Sequence, residues 1–291
     1  MARKEAIMAS LFWHELRIRR GVLIGWSAGM LAFFSVYMAF YPALPVEMRN
    51  LDLASIELYR AFGNLTMATF EGYIGSTIFH FFTVLLCVLA IVTGTGVLAG
   101  EEDNGTLELQ LALPLTRWQL VTTKTIALAA MSLLVLGVAS IAAAVIFLFI
   151  RDQLTTQLDA GDLFRATVAH WPLVFLFQTL SLWLGTLTPS RRVALALATV
   201  ILVVSFLGYN LLSMSPDLEY LRPLSPFHYR PSTPAALNEG PASGDLVTLL
   251  GAALLGYGLA VVCFNQRDVT TGAWLWARYF HRVSSTRKVA G

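Results

Sequence analysis

Charge is what this chain has least of. Of its 291 residues only 13% are Asp, Glu, Lys or Arg, about half the roughly 25% usual in soluble domains. That shortage argues against a soluble fold. Cysteine is scarce too: Cys87 and Cys263 are the only two. They fall in different apolar segments and read as small apolar fillers, with no disulfide framework and no zinc-ligand spacing. The chain lacks the Gly-x-x-x-x-Gly-Lys-Ser/Thr phosphate loop, so it does not hydrolyse ATP by the P-loop route. No acid or base sits at the centre of an apolar run. This disfavours a proton- or sodium-coupled carrier, where such an acid commonly carries the coupling, and a channel built on charged rings. The net charge of +2 does not suggest nucleic-acid binding.

What is abundant is apolar length. Hydrophobic residues make up 56% of the chain and the mean hydropathy is +0.66. Runs without a charge cover Gly21–Val46, Gly72–Gly100, Thr125–Ile150, Ala166–Ser190, Val193–Pro216 and Leu246–Gln266. Each reaches the ~20 residues that cross the hydrocarbon core as a helix. The fourth and fifth are parted only by Arg191-Arg192. A charge at mid-bilayer costs roughly 2.5–3.5 kcal/mol, so two spans are favoured over one long one. The expected fold is all-α and polytopic: one transmembrane domain over residues 1–291, with spans at about 21–41, 76–99, 122–150, 169–187, 193–212 and 246–264.

Six spans put both termini on one side. Fourteen Lys and Arg residues lie on that side and six on the other. Positive residues collect in the cytoplasm, so both termini and the loop between spans two and three are expected there. No cleavable signal-peptide pattern is evident, and the first apolar run reads as an uncleaved anchor. Residues 5–20 form an amphipathic segment, with Met8, Leu11, Phe12 and Leu16 at helical spacing and suited to the headgroup layer. The segment 213–245 is rich in proline, which forbids a continuous helix and suits short pieces covering the outer mouth. Trp274, Trp276, Tyr279 and Phe280 alternate with Arg278 and Arg282 in the tail, as in an interfacial belt.

Two patterns imitate enzyme motifs. GWSAG at Gly25–Gly29 matches a nucleophile elbow around Ser27, and GTGVLA at Gly94–Ala99 a dinucleotide fingerprint. Neither has the strand its chemistry requires. Gly21/Gly25/Gly29 and Gly96/Gly100 are four apart and read better as small-residue faces for close helix packing. Gln178, His170 and Asn210 are the polar span residues most suited to a transport path, though a satisfied structural role suits each as well.

The loop Gly100–Lys124, GEEDNGTLELQLALPLTRWQLVTTK, is longer than a simple turn needs. Acids open it, a short amphipathic piece fills it, and Leu113-Pro114 breaks it. Thr116 and Gln119 form a Thr-x-x-Gln capping box, so a helix starts at Arg117. At ~1.5 Å per residue, a helix from there to Ile150 outruns the membrane, and its first turns stand outside it.

This hinge resembles the permease subunits of type-2 ABC exporters. The likeness lies in Glu101, Glu102, Gly105, Thr106, Glu108, Leu109, Pro114, Thr116, Arg117, Trp118 and Lys124. LSPFHY at Leu224–Tyr229 and FNQRDV at Phe264–Val269 strengthen it; Asp103-Asn104 stands where a basic residue is more usual. The resemblance implies a transport subunit without its own ATPase, in the cytoplasmic membrane of a prokaryote. Two copies of a separate ABC ATPase would carry the ATP and Mg, and a second permease copy, identical or closely homologous, would complete the transporter. The hinge would be a coupling helix docked on the ATPase, with Glu101, Glu102, Asp103 and Glu108 meeting basic residues, Leu107, Leu109 and Leu111 giving apolar contact, and Gly105, Thr106 and Arg117 counted among the coupling residues. The cargo would be hydrophobic or amphipathic, drug- or lipid-like. The competing readings are an ion-driven secondary carrier and an intramembrane hydrolase using Ser27.

Overall fold

The computed structural model describes residues 2–50, 67–212, 216–231, 237 and 240–266. The aromatic tail, residues 267–269 of the FNQRDV motif and part of the proline-rich segment lie outside the described residues. Among those described there are helices and turns and no strand. Six helices are long and apolar enough to cross a membrane: Arg20–Ala43, Phe70–Val97, Arg117–Gln153, Ala160–Leu187, Arg191–Leu212 and Ser243–Gln266, called here the first to sixth spans. The third begins at the anticipated capping box, where the Thr116 backbone N–H donates to Gln119 Oε1 at 3.0 Å. The second and fourth begin earlier than the charge-free runs indicate. An initial turn Phe70–Tyr73 and a π-helical stretch Ile74–Ile78 lead into the second. A short helix Ala160–Val168, tipped by Asp159 and Asp162, opens the fourth.

Burial separates the spans into two classes. About 72% of the second and 67% of the fourth are buried within the chain, against 17%, 22% and 17% of the first, fifth and sixth. The fourth is the hub and packs on the second, third, fifth and sixth. Glycine lets it approach: a Cβ on Gly94 would sit 2.6 Å from the Gln178 carbonyl, and one on Gly256 would sit 3.1 Å from Thr179 Oγ1. The first span lies against the third.

The glycine faces differ from what spacing alone indicates. A Cβ on Gly21, Gly25 or Gly29 would meet nothing within 4 Å; these residues line an open groove of about 810 Å³ beside Trp26, Phe33 and Val92. Gly96 and Gly100 admit side chains rather than a helix, with Arg19 and Arg191 filling the space a Cβ would need.

The core has two parts. A large apolar cluster runs through the membrane-spanning body. A smaller one at the hinge end joins Leu11, Leu98, Leu107, Val121, Leu182 and Phe264. It thus draws on the N-terminal helix Ala2–Ile18, the hinge and four spans.

Candidate functional site

The hinge folds as two short helices, Ala99–Asp103 and Leu107–Leu111. Between them Gly105 has φ +69°, a left-handed conformation that glycine adopts without a Cβ penalty. The Gly105 N–H donates to the Glu102 carbonyl and the Thr106 N–H to the Glu101 carbonyl, each at 2.9 Å. This pair of bonds is the Schellman ending of a helix, and it explains why Gly-Thr stands here. The chain reverses at this point, and the second helix presents one side to the protein and the other outward.

The inward side is strongly anchored. Leu107 is buried in the hinge-end cluster. Lys124 is fully buried at the start of the third span, where its ammonium donates to Glu101 Oε2 at 2.6 Å and also to Glu15 of the N-terminal helix. Arg19 completes the group, 3.3 Å from Glu15 and 3.5 Å from Glu101. Two cations and two anions share the space, so the buried charges compensate. Burial pushes the Glu101 carboxyl above the usual carboxylate range, Lys124 pulls against that shift, and the neighbouring Glu15 charge adds to it. Glu101 therefore points into its own chain, and the expectation that it offers its carboxylate to a partner's basic residue does not match this placement.

Further ties reach the other spans. Asp103 Oδ2 accepts from the Arg191 backbone N–H at 3.0 Å, an anion at the first turn of the fifth span. The Asp103 departure in the hinge pattern thus has a structural use. Arg117 donates to the Phe264 carbonyl at 3.1 Å and lies over the Phe264 ring, a cation at the end of the sixth span. Thr122 and Tyr257 share a hydroxyl hydrogen bond of 2.6 Å. One short segment is linked to the N-terminal helix and to the third, fifth and sixth spans.

The outward side is open. Asp103, Gly105, Thr106 and Glu108 are exposed, Glu102 and Leu111 are half-buried, and Leu109 is 73% exposed. Trp118, the second residue of the third span, is 49% exposed. An exposed leucine flanked by carboxylates on a rigid base can take an apolar pocket rimmed with basic groups.

The three transport-path candidates are enclosed. Gln178 is spent on structure: its amide nitrogen donates to the Leu128 carbonyl at 3.1 Å and its oxygen accepts from Ser132 at 3.2 Å. His170 is buried against Phe79 and Phe82, with Nδ1 2.9 Å from the Ala166 carbonyl and Nε2 without a partner. Asn210 is buried with neither amide atom partnered. Sequence reasoning did not single out Arg230 in a site role. Its guanidinium donates to His80 Nδ1 at 2.9 Å and lies over Tyr209, and burial lowers its pKa to about 10. Its location in a proline-rich segment, far in sequence from His80, left no local signal. Ser27 has no hydrogen-bond partner for its hydroxyl, and among the described residues no group of three or more His, Cys, Asp and Glu is placed to hold a metal.

No individual curated protein matches the sequence. The family model for ABC-2 family transporter proteins matches residues 9–269, taking in the N-terminal helix, the hinge and all six spans. The chain belongs to the ABC-2 transporter family, as a multi-pass membrane permease of an ABC transporter.

Proposed function

We propose that this permease is the membrane subunit of an ATP-driven exporter of hydrophobic or amphipathic cargo, drug- or lipid-like, in the cytoplasmic membrane of a prokaryote. Two copies of a separate ATPase carry the ATP and Mg, and a second permease copy, identical or closely homologous, completes the transporter. Both termini and the hinge face the cytoplasm. The positive-inside count supports this orientation, and the family supports the partner.

One observation carries the coupling role: the hinge is exposed on one side and locked on the other. Glu102, Asp103, Glu108, Leu109 and Leu111 supply the surface for the ATPase. Leu107, Glu101 and Arg117 supply the grip on the chain's own helices, while Gly105 and Thr106 set the turn between them. A partner that moves as a rigid body on binding ATP displaces the hinge, and the ion group and leucine cluster carry that displacement into the spans. A loop tied only by its ends would absorb the same motion.

Purification of the full chain from its native membranes in mild detergent tests the reading. It is expected to bring down a P-loop ATPase, and Glu108→Lys with Leu109→Ala is expected to lose that partner while inserting normally. Transport by the chain alone in liposomes under an ion gradient, with no ATPase present, would establish the secondary-carrier reading instead.

A further inference from the structure

Beneath the N-terminal helix lies a second cavity, of about 420 Å³, lined by His14, Arg19, Gly96, Glu101, Gln110 and Arg191. It neighbours the 810 Å³ groove along the chain. Arg19 lines one and Gly21 the other, and Gly96 and Val92 are one turn apart on the second span. The two neighbouring hollows differ in chemistry. The groove is apolar, glycine-floored and opens sideways from the spans. The cavity is polar and sits at the hinge end, where the spans stop. Both volumes fall within the ~300–1,000 Å³ of ordinary ligand sites.

The polar end carries unused cationic capacity. Arg191 donates Nη2 to the Val92 carbonyl at 3.1 Å, and its buried Nε has no partner. The carboxylate in this cavity, Glu101, is already engaged by Lys124 and Arg19. Arg17, Arg20 and Arg192 are exposed nearby in the chain. The Arg191 guanidinium lines this cavity with no carboxylate side chain paired to it, and a cation so placed suits an anionic oxygen. Water or a protein side chain would serve the polar cavity alone; an apolar groove beside it suits a chain attached to the anion.

We propose that this composite site binds an anionic phospholipid from the leaflet at the hinge end, with its headgroup at Arg191 and an acyl chain along Gly21, Gly25 and Gly29. The site adjoins the hinge's outward face: Thr106 and Leu109 of that face, with Gln110, wall its headgroup end. Lipid occupancy therefore bears on the position of that hinge.

Trp26 lines the groove and reports on it. The full chain is reconstituted in phosphatidylcholine vesicles containing a minor fraction of phosphatidylglycerol brominated on its acyl chains, or the same fraction of brominated phosphatidylcholine. The Trp26 signal is the difference between the protein and Trp26→Phe. The anionic lipid is expected to quench it at about fivefold lower mole fraction, the effect of one basic residue at an anionic surface. Arg191→Gln is expected to abolish the preference, and inorganic phosphate is not expected to compete. Gly25→Leu, whose added Cβ meets nothing, is expected to block quenching by both lipids in a folded protein. Equal quenching by the two lipids overturns the proposal. So does quenching unchanged by Gly25→Leu, or a groove closed to both lipids because a second copy of the chain covers it. None of these outcomes depends on an ATPase, so failure here is distinct from failure of the exporter reading.

Discussion

Replacing Lys124 with methionine keeps the length of the side chain and removes its charge. The lysine is fully buried, 2.6 Å from one carboxylate and in direct contact with another. At an effective dielectric near 20, the Lys124–Glu101 contact alone is worth roughly 6 kcal/mol of gross Coulomb attraction, set against several kcal/mol of desolvation per ion. The net value of the pair is small. Deleting one member is not: Glu15 and Glu101 would then face each other with only Arg19, 3.3 and 3.5 Å away, to compensate both. The expected loss is about 3–5 kcal/mol. Glu101→Gln by itself should cost less than Lys124→Met: it leaves Lys124 and Arg19 facing Glu15 alone, but burial already disfavours the Glu101 charge. In the double variant it should recover about 1–3 kcal/mol of the loss. Unfolding of the purified chain in mixed micelles of rising SDS fraction measures all four proteins of the cycle. Additive losses, with no recovery in the double variant, would refute the argument that these charges form one compensated unit.

Other outcomes follow from the same geometry. Glu101 has a folded-state pKa above its unfolded value. Its contribution is therefore favourable at low pH and is lost as pH rises through the raised pKa. The stability of Glu101→Gln relative to the wild type should accordingly rise across that interval in a pH series. Gly94→Val should cost about 1–3 kcal/mol by overpacking, since the Gln178 carbonyl stands 2.6 Å from the new Cβ, whereas Gly25→Ala should be nearly neutral in the same denaturation assay. Gly105→Ala, at φ +69°, should cost about 1–2 kcal/mol and weaken binding to the ATPase more than it weakens the fold.

The sequence made local features visible and long-range ones invisible. The spans are legible because charge is confined to their ends, and the third helix start is legible because Thr116 and Gln119 are three residues apart. The ion group is different. Lys124 is 109 residues from Glu15 and 23 from Glu101, and no periodicity connects them. Glu101 looked like a surface acid because it stands among acids. Its inward direction is fixed by a lysine that reads, in sequence, as an ordinary end-of-span charge. Asp103 likewise acquires its use 88 residues away, at Arg191. Glycine spacing showed where side chains are absent, but not whether a helix, an arginine or an open groove takes the place: Gly94 meets a helix, Gly96 meets arginines, and Gly25 meets nothing. Gln178 drew attention as a polar residue in an apolar span, and its two hydrogen bonds to the third span belong to packing that only the folded chain displays.

The central claim is that the outward face of the hinge docks on a separate ATPase. Leu109 is the most exposed apolar residue of that face, and a cysteine there offers a direct contact measurement. Leu109→Cys, in a background where Cys87 and Cys263 are replaced by alanine, is combined with the ATPase that purifies with the chain, and the complex is treated with a short thiol-to-amine cross-linker. The account predicts a permease–ATPase adduct through residue 109 that changes in yield when ATP is added. Cross-linking to lipid or to a second permease copy only, with the ATPase still bound elsewhere, would contradict it.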